Sequence, residues 1–97
     1  MPKPVLFDPA AIAEARAAHA WYAARSTSSS ANFLHEIDDA IDAITGAPDR
    51  WSSYIEGTRR YVFRRFPFYI VYRERDDAIQ ILAVAHGRRR PGYWVAR

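Results

Sequence analysis

Eight arginines, Arg59, Arg60, Arg64, Arg65, Arg73, Arg88, Arg89 and Arg90, are interleaved with Tyr61, Tyr69, Tyr72 and Tyr93 in the second half of the chain. A guanidinium is a planar fork that binds carboxylate or phosphate through two parallel hydrogen bonds, so this set points to an anionic partner, either nucleic acid or an acidic protein segment. The tyrosines add faces on which bases or apolar side chains can rest. Neighbouring residues on a strand point to opposite sides, so at most half of these arginines share one surface. His86 directly precedes the Arg88-Arg89-Arg90 run. An imidazole there suits proton transfer near neutral pH, and its plainer role is to hydrogen-bond a loop carbonyl and close a strand.

Other constellations carry less. His19 and His35 have no partner at ligand spacing and the chain has no cysteine, so neither a metal nor a cofactor is expected. Glu36, Asp38, Asp39 and Asp42 fall on what reads as the polar, solvated side of a helix. The serines at 26–30 match no nucleophile motif, and four glycines form no phosphate-cradling loop.

The 97 residues fit one domain spanning 1–97, and 49% hydrophobic against 26% charged residues excludes intrinsic disorder. The net charge of +3 conceals a division. Residues 1–56 hold eight acidic and four basic side chains, whereas residues 57–97 hold ten arginines and three acids. Absence of cysteine matches a reducing compartment, and no apolar run reaches signal or membrane-span length, so a cytoplasmic protein without a membrane association is expected.

The elements that must position these residues follow from spacing. Residues 4–7 read as a short strand, and Asp8-Pro9 as an N-cap followed by proline at the first helical position. Ile12, Ala15, Ala18, Trp21 and Tyr22 mark the apolar stripe of a helix to about residue 25. The serine-rich tract 26–30 reads as a connection. A second helix from about residue 31 carries Phe33, Ile37, Ile41 and Ile44, with Gly46 as a C′ glycine and Pro48 as the stop. Residues 59–64, 68–73 and 79–85 then read as three antiparallel strands, the last buried on both faces. The tail from His86 to Trp94 leaves the sheet at its basic end. The expected fold is an α+β two-layer sandwich, β-α-α-β-β-β, with a helical hairpin packed on a small antiparallel sheet.

Three segments carry a resemblance to a known family: Gly57-Thr58-Arg59-Arg60, then Phe66-Pro67-Phe68-Tyr69-Ile70-Val71-Tyr72-Arg73, and above all Ile81-Leu82-Ala83-Val84-Ala85-His86-Gly87-Arg88-Arg89-Arg90-Pro91-Gly92-Tyr93-Trp94. With them the chain resembles the RelE/ParE superfamily of bacterial toxins, in its ParE-like plasmid-stabilisation branch. The resemblance implies the toxin of a type II toxin–antitoxin pair, neutralised by a cognate antitoxin that is ParD-like or a similar small DNA-binding protein. ParE-like members act on DNA gyrase, and RelE-like members cut messenger RNA on the ribosome without a metal. Lys3 is the only lysine, so the lysine-assisted RelE pattern is not matched and the gyrase-binding reading is favoured. Under it, Arg59, Arg65, Arg73, Arg88, Arg89 and Tyr93 form the target- and antitoxin-binding surface. Under the ribonuclease alternative, His86, Tyr93, Arg59 and Arg65 are the catalytic candidates.

Overall fold

A computed structural model describes residues 3–97; the part of the N-terminal reading that touches Met1 and Pro2 lies outside the described residues. Asp8 is extended and its carboxylate accepts the Ala10 N–H at 2.8 Å, which starts helix α1, Pro9–Ala23. Helix α1 packs through Ala11, Ala15, Ala18 and Tyr22, while Ile12 and Trp21 face outward, Trp21 being 53% exposed. Of the expected stripe, Ala15, Ala18 and Tyr22 pack inward and Ile12 and Trp21 do not.

Helix α2 spans Thr27–Gly46, earlier than the spacing implied. Ser26 is its N-cap, with Oγ accepting the Ser29 N–H at 3.2 Å, and Ser30 Oγ donates to the Thr27 carbonyl. Hydroxyls that compete with the backbone inside a helix satisfy it at the start, so most of the serine tract becomes the first turn. Gly46 is the last helical residue and does not take a positive φ; Ala47 caps the helix instead.

Among the described residues five strands form one sheet in the order β1-β5-β4-β3-β2, with β1 Val5–Phe7, β2 Ser52–Ser53, β3 Arg59–Val62, β4 Phe68–Glu74 and β5 Ile79–His86. The expected meander is β3, β4 and β5. The sheet is mixed because β1 runs parallel to β5, pairing Val5 with Ile79 and Phe7 with Ile81. Strand β2 carried no β-branched or aromatic signal, and a short 3-10 turn, Ile55–Gly57, joins it to β3.

A register shift organises the two faces. Val71 lies opposite Ala83 and Tyr72 opposite Ile81, so Leu82 has no opposite residue and the inside–outside alternation resets. Ile79, Ile81 and Val84 therefore all face the helices, where they join Ile70, Tyr72, Tyr61, Phe33, Ala40 and Ile44. Leu82, Ala83 and Ala85 join Tyr69 and Val71 on the other face, beneath the fully buried Trp94. The tail therefore does not leave the sheet. It turns back and covers the face that the helical hairpin cannot reach.

Glu36 departs from its expected exposure. It is 9% exposed, and Oε1 accepts the backbone N–H groups of Arg64 and Arg65, the latter at 2.9 Å. Turn 63–67 ends β3 two residues earlier than expected, and its inward amides need an acceptor that helix α2 supplies. Glu36→Ala should lower the unfolding free energy by about 1–3 kcal/mol, the usual cost of orphaned buried donors. Asp38→Ala and Asp42→Ala, both at exposed positions, should stay within about 0.5 kcal/mol of the parent. Urea denaturation midpoints at constant slope decide this, and an equal loss for all three variants contradicts it.

Candidate functional site

The pairing of strands decides which arginines meet. Phe68 lies opposite His86, and the Gly87 N–H donates to the Pro67 carbonyl at 2.7 Å. Turn 63–67, carrying Arg64 and Arg65, therefore sits beside the loop that carries Arg88, Arg89 and Arg90. The C-terminal end of α1 reaches the same place, where Arg25 stacks over the Trp21 ring at 3.5 Å and donates to the Trp21 carbonyl. All six guanidinium-bearing residues are exposed. One end of the molecule is thus strongly basic.

Between α1 and this end of the sheet lies a cleft of about 460 Å³, lined by Ala17, Ala18, Trp21, Tyr22, Pro67, Phe68, Val84 and His86, with Glu14 and Arg89 at its polar margin. A second, more polar cleft of about 500 Å³ lies between α2 and turn 63–67, with His35, Asp39, Arg64 and Arg65 on its walls.

Of the residues singled out from sequence, Arg65, Arg88, Arg89 and His86 come together at the basic end. Arg59 and Arg73 do not. Arg59 lies opposite Tyr72 and gives Nη1 to the Trp51 carbonyl at 2.6 Å; Arg73 lies opposite Gln80 and gives Nη2 to the Glu56 carbonyl at 3.1 Å. Both sit at the far end of the sheet and tie loop carbonyls to it. The Nδ1 atom of His86 accepts the Arg88 N–H at 3.0 Å, and its ring meets Phe68 edge-on at 5.0 Å. The loop offers it an amide rather than the carbonyl anticipated from sequence.

Tyr93 joins Arg89 through a residue that the sequence did not single out. Glu14 Oε2 accepts the Tyr93 hydroxyl at 2.5 Å and Arg89 Nη1 at 3.2 Å, and Arg97 binds both carboxylate oxygens at 2.8 and 3.2 Å. Arg89 stands over the Tyr93 ring at 3.7 Å. The one signal for Glu14 was its isolation, as the only acid between Asp8 and Glu36 on a helix otherwise rich in alanine. Burial, reinforced by the Glu14 hydrogen bond, pushes the Tyr93 phenol well above the usual tyrosine range. Burial likewise pushes Tyr69 and Tyr72 up to about 12. Among the described residues no cluster of three or more His, Asp or Glu side chains could hold a metal ion, and no helix is long and apolar enough to cross a membrane.

The profile described as the ParE toxin of type II toxin-antitoxin system, parDE, matches residues 5–91. The chain belongs to the ParE toxin family. It is similar to "Toxin ParE2" of Mycobacterium tuberculosis strains CDC 1551 / Oshkosh and ATCC 25618 / H37Rv, 36% identical in each case over 55 residues that make up 57% of this chain and 52% of the relative. The match therefore spans about half the length of those curated relatives. Among solved structures, a chain of the "Chromosomal ParDE TA system from P. aeruginosa" superposes with a TM-score of 0.75 at 18% identity, covering 87% of this chain and 95% of that one. That likeness is one of fold.

The tyrosines set a pH limit on stability. Their phenols ionise near 10 when unfolded and, for Tyr69 and Tyr72, near 12 when folded. Below the unfolded value both states keep the proton and no stability is lost; between the two values the unfolded chain alone releases it, so stability falls as pH rises. Thermal midpoints should hold level on these groups' account from neutral pH to about 10 and drop above it. Tyr69→Phe should flatten that drop; an unchanged slope in the variant counts against burial as the cause.

Proposed function

We propose that this chain arrests growth by binding DNA gyrase in the cytoplasm, and that a cognate antitoxin, ParD-like or a similar small DNA-binding protein, neutralises it. The observation that carries this reading is the apolar cleft set directly beside exposed guanidiniums at one end of the sheet. A flexible antitoxin segment with apolar side chains for the cleft and carboxylates for Arg25, Arg64, Arg65, Arg88 and Arg89 fits both features at once, and a segment of that kind can order itself on binding. Arg88 and Arg65 are the parts of the expected surface that stand free for such contacts. Arg89 and Tyr93 contribute from a preset position, and Arg59 and Arg73 act through the loops they tie down.

Binding is favoured over catalysis by how the proton-transfer candidates are engaged. His86 uses Nδ1 to accept an amide of its own loop. The Tyr93 hydroxyl donates a hydrogen bond to Glu14, and its raised phenol leaves it a poor base near neutral pH. Arg59, the third candidate for message cleavage, lies at the opposite end of the sheet from His86.

Purified protein should inhibit gyrase supercoiling in a dose-dependent way, and the antitoxin encoded beside it should restore activity. Absence of inhibition at any concentration contradicts the gyrase reading. Trp21→Ala should weaken antitoxin binding by about 2 kcal/mol, roughly thirtyfold, as expected for an aromatic anchor in a cleft. Titration calorimetry reads this, and unchanged affinity removes the cleft from the antitoxin interface.

A further inference from the structure

Strand β1 stops pairing where Phe7 meets Ile81, so among the described residues no strand pairs with β5 beyond Ile81 on that side. Two side chains occupy the place a strand would take. Glu14 Oε1 accepts the Val84 N–H at 3.1 Å, and Arg97 Nη1 donates to the Leu82 carbonyl at 3.0 Å. The two side chains then bind each other, so the pair offers the strand edge one acceptor and one donor, as a backbone would.

Those contacts alone would satisfy a buried carboxylate. Glu14, with its side chain 14% exposed, nevertheless takes two more, from the Tyr93 hydroxyl and from Arg89, whose side chain remains 53% exposed. Closing the strand edge does not need Arg89. Its guanidinium, held by Glu14 and stacked on Tyr93, stands at the margin of the cleft with its direction already set. An arginine free in solution loses rotamer freedom when a partner captures it; this one is ordered beforehand.

We propose that Glu14 is a positioning residue for partner binding: it couples the unfinished edge of β5 to the tail and fixes the direction in which Arg89 and Tyr93 are presented to the cellular target. This rests on the reading of the chain as a growth-arresting toxin whose basic end meets that target.

The test is Glu14→Gln, which keeps the side-chain shape and an acceptor for Val84 but removes the charge that holds Arg89 and Arg97. Thermal melting and near-ultraviolet circular dichroism identify a folded variant. If Gln does not fold, Glu14→Asp, which keeps the charge but shortens the reach, takes its place with the same expectation. The variant should lose growth arrest at equal expression and inhibit gyrase roughly tenfold less, equivalent to about 1.4 kcal/mol of binding. Hydrogen exchange at the amides of Arg89, Tyr93 and Val95 should accelerate while that of β4 stays as it was. Growth arrest and inhibition within twofold of the parent overturn the inference, as does a loss of potency without any change in exchange of the tail. A parent protein that arrests growth but leaves gyrase untouched removes the gyrase reading, while the growth comparison still decides the role of Glu14. A parent that does not arrest growth overturns both.

Discussion

Strand β5 must be satisfied on four sides, and the rest of the molecule is arranged to do it. Its residues from Ile79 to Ala85 are buried apart from Gln80, so every backbone group there needs a partner and both faces need cover. Strand β4 pairs along one edge, and β1 covers only the first three residues of the other. The helices cover one face. The other is covered by the returning tail, which places Trp94 under Leu82, Ala83 and Ala85, together with Tyr54 and Ile55. A buried backbone donor without an acceptor costs about 1–3 kcal/mol, a large part of the net stability of a domain this size, so the gap beyond Ile81 has to be closed. Glu14 and Arg97 close it with side chains, and in doing so they tie the tail to helix α1.

The same constraint sorts the arginines. Arg59, Arg73 and Arg97 spend their donors on carbonyls of loops and strand edge, which fastens irregular segments to the sheet. Arg60 lies over Tyr54 and Tyr69 on the tail-covered face. What remains at the basic end is a set carried by turn 63–67, the loop after β5 and the end of α1. Exposed ion pairs matter little beside this arrangement. Lys3 and Glu74, each about one-third exposed, form a contact of a kind that contributes up to roughly 1 kcal/mol.

Much of the architecture was legible because the strongest signals are periodic. Asp8-Pro9 marked the start of α1, and the β-branched and aromatic runs marked β4 and β5. The failures have physical causes. The serine tract was ambiguous because hydroxyls favour both turns and helix starts, and only the docking of Phe33 among Tyr22, Phe66 and Phe68 decides for the helix. Strand β2 is two serines held by pairing with Arg59 and Arg60, with no intrinsic preference to read. The shift at Leu82 turns a continuous apolar run into residues for two different faces, which alternation alone cannot show. The candidate site was half legible. Residue type drew attention to Arg65, Arg88, Arg89 and Tyr93, but the set also took in Arg59 and Arg73, because strand order, not composition, determines which end of a sheet a residue occupies. Glu14 and Glu36 were hidden for a common reason: a carboxylate on a helix reads as solvated until the amides that need it are placed in space.

The function of the basic end turns on whether that end of the sheet meets a partner protein. Amide chemical-shift mapping of the isotopically labelled chain, titrated with the unlabelled antitoxin proposed for it, tests this most directly. Changes should concentrate at 17–25, 64–68 and 84–90, around the cleft and the exposed arginines. Changes centred on loop 49–58 and the β4–β5 turn, where Arg59 and Arg73 are tied down, would contradict it.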